Sequence, residues 1–316
     1  MNRSPLVTII TPAYNRATLI AETIESVLGQ DYPHLEYIVL DDGSTDATLE
    51  VIKGYEGRLR WESHANVGEA HTVNAGFSMA QGEILGVVNS DDPLLPGAVG
   101  RMVAALQANP DALVAYPDWR LIDARGNALQ EIRCRDYVSF AEMLSGHHCL
   151  PGPGAFFRRQ ALEKASGRDP AYRYVGDLDF WLRIGWHGRF VRVPEVLATF
   201  RVHDSSASVC CQSELMAEEQ VAVIVNLFAR EKADVSLHSL RKVSMLNAFH
   251  AAACHLGRGR VSSLLSYILK SITCCPGVFF TKYFYRIPIY MLMLLGFNYS
   301  AIKYNITGLK YRLRLK

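Results

Sequence analysis

Two short acidic runs each follow a stretch too apolar to lie on a surface. Asp41-Asp42-Gly43-Ser44 comes after LEYIVL (35–40), and Asn89-Ser90-Asp91-Asp92-Pro93 comes after ILGVV (84–88). Adjacent carboxylates repel unless a cation or a hydrogen-bond donor lies between them. A hard divalent ion that bridges substrate phosphates relieves that cost, and it neutralises a leaving diphosphate. Asp42 is also suited to accept from a base N–H or a ribose hydroxyl. A strand-end acid is often only a helix cap, but ligands of open α/β sheets bind beyond the carboxyl ends of strands. Two such pairs in one sheet therefore favour a site. Neither G-x-G-x-x-G nor G-x-x-x-x-G-K-[ST] occurs, so a nucleotide must be held without a phosphate-cradling glycine loop. A third run, GDLDFWLR (176–183), opens a helical pattern.

The elements that must position these groups follow a strand–loop–helix rhythm. Leu6–Thr11, Leu35–Leu40 and Ile84–Val88 read as short buried strands, and Leu59–Glu62 as a shorter one. Leu19–Leu28, Thr45–Lys53, Ala70–Met79 and Pro96–Leu106 read as helices; Ile20, Ile24, Val27 and Leu28 share one stripe. Leu113–Tyr116 is a further strand, Trp119–Leu129 a hairpin turning at 124–127, Asp177–Trp186 a helix and Phe190–Phe200 an extended run. Apolar strands alternating with helices predict an α/β fold, a mostly parallel sheet flanked by helices. From residue 213 the pattern is helical: Leu215–Arg230, Leu237–Leu256 and Arg260–Ile272. The expected organisation is a catalytic α/β unit over 1–212 and a basic helical extension over 213–316.

Of the 316 residues, 49% are hydrophobic and 20% charged, which excludes a wholly disordered chain. The net charge of +2 conceals a partition: all 31 acids lie at or before Asp234, whereas 12 of the 33 Lys+Arg lie beyond it. Seven cysteines, an odd number with no C-x-x-C, argue against a disulfide framework and for a reduced compartment. The opening apolar run, Leu6–Ile10, is too short for a signal h-region or a membrane span. His147-His148-Cys149 has no second Cys or His at finger-like spacing, so zinc is not expected.

In order along the chain stand TPAYNR (11–16), DDGSTD (41–46), NVGEAHTVNAGFSMAQGEILGVVNSDD (66–92), YPDWRLIDARGN (116–127), GDLDFWLR (176–183) and RVHDSSAS (201–208). That ordered set resembles family 2 glycosyltransferases of the GT-A fold, which transfer a sugar from a nucleotide-sugar with inversion; the resemblance covers about residues 5–208. It implies that Thr11, Ala13, Tyr14, Asp41 and Asp42 hold the nucleotide. Asn66, Gly68 and Asn74 would lie in the stretch that closes around it. The D-x-D-like motif falls on Ser90-Asp91-Asp92, with Asp92 as the main metal ligand and Asp91 against the sugar or ribose. The implied metal is Mn²⁺ or Mg²⁺, and His203 matches a histidine that helps ligate metal or diphosphate; a structural histidine is the alternative. The Glu-Asp pair that carries the general base falls on Gly176-Asp177, where glycine replaces the glutamate; Asp177 is then the candidate base, an N-cap is its alternative, and Asp179 is the rival base. His64 stands where an aspartate is common. Trp181 is either core or an acceptor platform, and Asp118 and Trp119 either approach a sugar or line a loop.

The resemblance implies a UDP-, GDP- or dTDP-linked donor and a glycan or lipid-linked acceptor, as in surface polysaccharide synthesis. A catalytically weak glycan- or nucleotide-binding protein is the rival; a nucleotidyltransferase would need more cation in its first loop than Arg16. Segment 278–302 is apolar and aromatic, with Lys282, Arg286 and Pro288 interrupting it, and the chain ends in Lys310, Arg312, Arg314 and Lys316. Ile289–Phe297 is too short to span a bilayer, so 278–316 is expected to lie on an anionic membrane surface. Nucleic acid is not expected, since no recognition motif accompanies the charge. The expected location is cytoplasmic, peripheral on the inner face of the membrane.

Overall fold

The computed structural model describes residues 4–203, 213–231, 237–255 and 261–274. The chain divides into two compact units, Met1–Met143 with His148–Val209, and Leu144–His147 with Cys210–Lys316. The expected membrane segment, 278–316, lies outside the described residues.

The first unit is built on one mixed sheet. Strands β1 (Val7–Ala13), β2 (Leu35–Asp41), β3 (Arg60–Ser63) and β4 (Ile84–Val87) pair in parallel in the order β3-β2-β1-β4. The sheet continues through β7 (Phe156–Arg158), β5 (Ala112–Ile122) and β6 (Ala128–Ile132), which join by antiparallel ladders, and β8 (Arg189–Arg201) runs parallel to β5. All seven residues of β1 are buried, as befits a strand with neighbours on both edges and helices on both faces.

Alternation along β1 assigns its two faces. Ile9 joins a core with Ile20, Ile24 and Val27 of α1 (Ile20–Leu28) and with Val99, Met102 and Leu106 of α4 (Ala98–Ala108). Ile10 faces the other way, against Gly76 of α3 (Glu69–Met79); a Cβ added at Gly76 would meet the Ile10 side chain at 2.5 Å, so only glycine lets α3 lie this close. Short α2 (Thr48–Lys53) follows β2. The second face is completed by α7 (Gly176–His187), whose Phe180 and Trp181 pack with Phe77, Phe157 and Phe190 at ring separations of 5.1–6.5 Å. Trp181 is thus core and not an acceptor platform. The expected α/β sheet with flanking helices is present, and most of its strands are parallel.

The expected strand at Leu113–Tyr116 and the first arm of the hairpin are one strand, β5. Pro117 does not break it, because the β5–β8 register shifts there and no ladder N–H is required of it. Strand β7 and helices α5 (Phe140–Gly146) and α6 (Arg159–Ala165) have no counterpart in the sequence reading; each has at most seven residues, too few for a period to register.

In the second unit α8 (Glu214–Arg230) starts at Ser213, whose Oγ accepts from the Met216 N–H at 3.1 Å. Helix α9 (His238–His255) packs against α8 and against α10 (Val261–Cys274). Among the described residues no helix is long and apolar enough to cross a membrane.

Candidate active site

The carboxyl ends of β1, β2 and β4 lie side by side and deliver three loops to one edge of the sheet. After β1 comes Tyr14, 44% exposed, and Asn15, at φ 51°, whose Oδ1 accepts from the Thr45 N–H at 2.8 Å. The Ser44 hydroxyl accepts from Asn15 N–H at 3.0 Å, so the first loop is laced to the second. Ala13 and Thr11 are buried. The Thr11 hydroxyl sits 3.0 Å from the Tyr37 hydroxyl inside the core, so its side chain is not offered to a nucleotide.

Asp41 and Asp42 are both almost wholly buried and both engaged by protein donors. Asp41 accepts from the Ser63 hydroxyl at 2.7 Å and from the Ser44 N–H at 3.3 Å. The two Asp42 oxygens accept from the Val67 N–H at 2.7 Å and the Gly68 N–H at 3.0 Å, and Asn66 Nδ2 donates to the Asp42 carbonyl at 3.0 Å. Asp42 therefore fastens the 66–68 loop over the end of β2. Gly43, at φ +69°, is required there, because a Cβ would meet the Asn66 nitrogen at 2.6 Å. Asn74 is turned away from this loop. Its side chain accepts from the Arg168 N–H and donates to the Arg168 carbonyl, both at 2.8 Å, so it holds the 166–168 loop and does not reach toward the nucleotide expected of it.

The end of β4 separates the second acidic pair. Asp92 points inward, 4% exposed, and accepts from the Arg201 N–H at 2.7 Å and Asn89 Nδ2 at 3.0 Å. Burial, with the charge of Asp91 beside it, pushes its carboxyl up to about 7. Asp91 is the more open of the two. Its Oδ2 lies 3.0 Å from His203 Nε2 and 3.2 Å from Arg16 Nε. The structure sets His203, expected beside Asp92 at a metal, against Asp91, while Asp92 bonds to the end of β8. Arg201 binds the whole assembly. Its Nε donates to the Asp91 carbonyl at 3.0 Å, and its Nη2 meets Glu22 of α1 at 2.6 Å.

Among the described residues no group of three or more His, Cys, Asp or Glu side chains could hold a metal ion. An oxygen donor beside an imidazole nonetheless suits Mn²⁺ or Mg²⁺, which commonly take one or two protein ligands and complete their shells with substrate phosphate and water. Asp91 with His203 fits that description, and the positive Arg16 side chain beside them fits a diphosphate.

The acids at the start of α7 also part ways. Asp177 is open to solvent, yet the protein atoms packed around it raise its carboxyl above the ordinary range, and the positive charge of Arg168 opposes that rise. Its Oδ1 accepts from the Leu178 N–H at 2.7 Å, and the Cys149 sulfur lies 4.0 Å from its Oδ2. Asp179, 1% exposed, gives Oδ2 to Arg183 Nε at 2.8 Å and Nη2 at 2.6 Å. The rival base is thereby corrected: a carboxylate sealed against a guanidinium inside the core cannot meet an acceptor hydroxyl. Asp118 is likewise buried and bidentate to Arg192, at 2.8 and 2.6 Å.

Four groups around these acids have no role in the sequence reading: Arg201, Cys149, Glu69 and Arg168. Glu69 and Arg201 lay within quoted motifs, but one-letter spacing does not reveal which carboxylate each would reach.

Comparison with known proteins places the chain in a family. The family model "Glycosyl transferase family 2" matches residues 8–165. An uncharacterized glycosyltransferase of Rickettsia typhi is 28% identical over 218 residues, 65% of this chain and 66% of that one. The hyaluronan synthase of Pasteurella multocida is 32% identical over 219 residues, 66% of this chain but 22% of that much longer protein. Among solved structures, TarS 1–349 of S. aureus in complex with UDP-GlcNAc aligns with a TM-score of 0.62 over 85% of this chain and 89% of that one, at 16% identity. The mannosyltransferase PcManGT of Pyrobaculum calidifontis in complex with GDP-Man and Mn²⁺ aligns with a TM-score of 0.52 over 93% and 88%, at 21% identity. At such identities the structural likeness establishes the fold.

Proposed function

The chain belongs to glycosyl transferase family 2, and from that premise we propose that it transfers a sugar, with inversion, from a nucleotide-sugar to a hydroxyl of a glycan or lipid-linked acceptor. The observation that carries this reading is the separation of roles within the acidic pairs. Asp91, with His203 and Arg16 against it, is the open acid of its pair, and Asp177 is the open acid of the other.

The donor nucleotide lies over the carboxyl ends of β1 and β2, against Tyr14 and the 66–68 loop that Asp42 fastens. Asp91 and His203 would hold a Mn²⁺ or Mg²⁺ ion, which would supply positive charge to the departing diphosphate. Arg16 adds a second cation on the same side. Asp177 takes the proton from the acceptor hydroxyl as that oxygen approaches the anomeric carbon. A base held above the ordinary carboxylate range receives a proton more readily than an aspartate at its ordinary value. The acceptor enters past Cys149. Residues 1–212 form the catalytic domain, and the basic segment 278–316 of the extension rests on an anionic membrane on its cytoplasmic face, where a lipid-linked acceptor of surface polysaccharide synthesis is exposed.

The test is a panel of UDP-, GDP- and dTDP-sugars with Mn²⁺, Mg²⁺ or EDTA, scored for nucleotide release with and without glycan and lipid-linked acceptors. Metal-dependent release with one donor class supports the reading. Nucleotide binding without turnover across the panel would make the chain a binding protein of the same fold.

A further inference from the structure

Asp91 is bonded through its backbone as well as through its side chain. The carboxylate meets Arg16 and His203, and the carbonyl accepts from Arg201 Nε at 3.0 Å. Arg201 is the last residue of β8, and its N–H donates to the Asp92 carboxylate at 2.7 Å. One residue thus touches both members of the strand-end pair. Its guanidinium is 1% exposed. Nη2 meets Oε2 of Glu22, in the first turn of α1, at 2.6 Å. Nη1 donates to the carbonyls of Asp123 and Ala124 at 3.3 and 3.4 Å.

Those two carbonyls lie in the turn that ends the YPDWRLIDARGN motif (116–127). Asp123 stiffens the turn. Its Oδ1 accepts from the Arg125 and Asn127 N–H groups at 2.8 and 2.9 Å, and its Oδ2 from Asn127 Nδ2 at 2.9 Å. Gly126, at φ 84°, lies against the ion pair: a Cβ there would stand 3.6 Å from Arg201 Nη1 and 3.7 Å from Glu22 Oε1. The end of the motif therefore supplies carbonyls to a buried cation.

A guanidinium sealed from water needs a counter-charge. Glu22 answers it with a carboxylate, whereas Asp91 and Asp123 give it carbonyls. Without Glu22, the acids already bonded to Arg201 beside the metal site are Asp91 and Asp92. A guanidinium that closed on the Asp91 carboxylate would compete with a metal ion for the same oxygens. We propose that Glu22 is a positioning residue for the metal-binding acid: by pairing with Arg201 it keeps that guanidinium on the Asp91 carbonyl and leaves the Asp91 carboxylate to a divalent cation. This rests on the reading of Asp91 as the metal ligand. Glu22 touches neither metal nor substrate and acts through Arg201.

The experiment is Mn²⁺ binding to the full chain, read without turnover from the electron paramagnetic resonance signal of free Mn²⁺. The wild type, Glu22→Gln, Glu22→Asp, Arg201→Met, the Glu22→Gln/Arg201→Met double variant and Asp91→Asn are compared. Glu22→Gln keeps an acceptor for Nη2 and removes the charge. It should weaken Mn²⁺ binding about tenfold, the lower end for groups that orient a metal ligand. Glu22→Asp keeps the charge and should restore most of the affinity. In the Arg201→Met background Glu22→Gln should change nothing further, since its effect passes through the guanidinium. The loss should persist at high salt, which screens a through-solvent attraction between an exposed carboxylate and Mn²⁺. Glu22 is 55% exposed, so its single variants and the salt comparison decide the matter if Arg201→Met does not fold. A Glu22→Gln variant that binds Mn²⁺ as the wild type does, or that differs from it only at low salt, overturns the proposal. A wild type that binds no Mn²⁺, or an Asp91→Asn variant that binds it as tightly, removes the metal assignment and the proposal with it. If Asp91→Asn loses Mn²⁺ and Glu22→Gln does not, only the role of Glu22 has failed.

Discussion

Replacing Asp179 and Asp177 separately by asparagine should give two different losses. Asp179 lies in the core with one oxygen bonded to both Nε and Nη2 of Arg183, and the same guanidinium donates to the carbonyls of Ala165 and Gly167. Removing one partner of a buried pair costs about 3–5 kcal/mol, because the other charge is left uncompensated. Asparagine still offers an amide oxygen, and Arg183 keeps its two carbonyls, so the lower end applies, about 3 kcal/mol. For a folded unit of roughly 200 residues each kcal/mol shifts Tm by about 2–4 °C, which gives a fall of about 6–12 °C. The variant should retain transfer at a temperature where it is folded. Asp177→Asn behaves in the opposite way. The Asp177 carboxyl is raised by burial, so its ionised form is unfavourable to the folded state. The stability of the wild type that this group governs is complete below the ordinary carboxylate range and is lost as pH rises through the folded-state value. Asparagine removes that loss, so Asp177→Asn should melt no lower than the wild type at neutral pH and show no advantage at strongly acid pH, while transfer is abolished. Thermal unfolding followed by circular dichroism, paired with the nucleotide-release assay, reads both effects. An Asp179→Asn protein that melts with the wild type yet transfers nothing would refute the division of roles.

Asp91→Asn should abolish the response to Mn²⁺ or Mg²⁺, whereas Asp92→Asn should keep a measurable metal affinity in calorimetric titration and lose rate through loosening of the 89–92 loop. Gly43→Ala forces a left-handed backbone on a residue with a Cβ and drives that atom against Asn66, a strain of about 1–3 kcal/mol, so nucleotide affinity should fall about tenfold or more. The Cys149 thiol is accessible but held well above its ordinary range by burial and by the charge of Asp177. Iodoacetamide should therefore inactivate slowly near pH 7 and faster as pH rises past the ordinary thiol range, and Cys149→Ser should resist it while retaining transfer. Sedimentation with anionic vesicles should be strong for the full chain and weak for a chain ending at residue 277; equal sedimentation would dismiss the membrane role of 278–316.

The parallel half of the sheet was legible because each of its strands is a short apolar run followed by a periodic helix. Ile20, Ile24 and Val27 declare α1 by spacing alone, and all three are buried. The antiparallel half was not. Strand β7 has three residues and is specified by its neighbours, since Phe156 and Phe157 are buried between β4 and β5. The site was legible as a set of acidic motifs in order. What spacing did not reveal is which acid of each pair the fold leaves the more open. Consecutive residues at a strand end point to opposite sides, but the turn that follows decides which side is inward. For Asp91 and Asp92 that depends on Arg201, more than a hundred residues away in sequence.

Burial alone does not separate a functional acid from a structural one here, because Asp41, Asp42, Asp92 and Asp179 are all buried polar groups. The donors do separate them. Backbone amides fasten Asp42 and Asp92, at Val67, Gly68 and Arg201, and a core guanidinium fastens Asp179. Those partners are fixed by the fold and are present with or without substrate. Asp91 has partners of another kind. It meets Arg16 and His203, two side chains able to give way to a metal or a diphosphate. An acid answered by backbone holds a loop; an acid answered by exchangeable side-chain donors can trade them for a ligand. By that criterion Asp91 is the acid of its pair offered to a ligand; the base proposed at Asp177, which accepts from the Leu178 N–H, is set apart from Asp179 by its exposure.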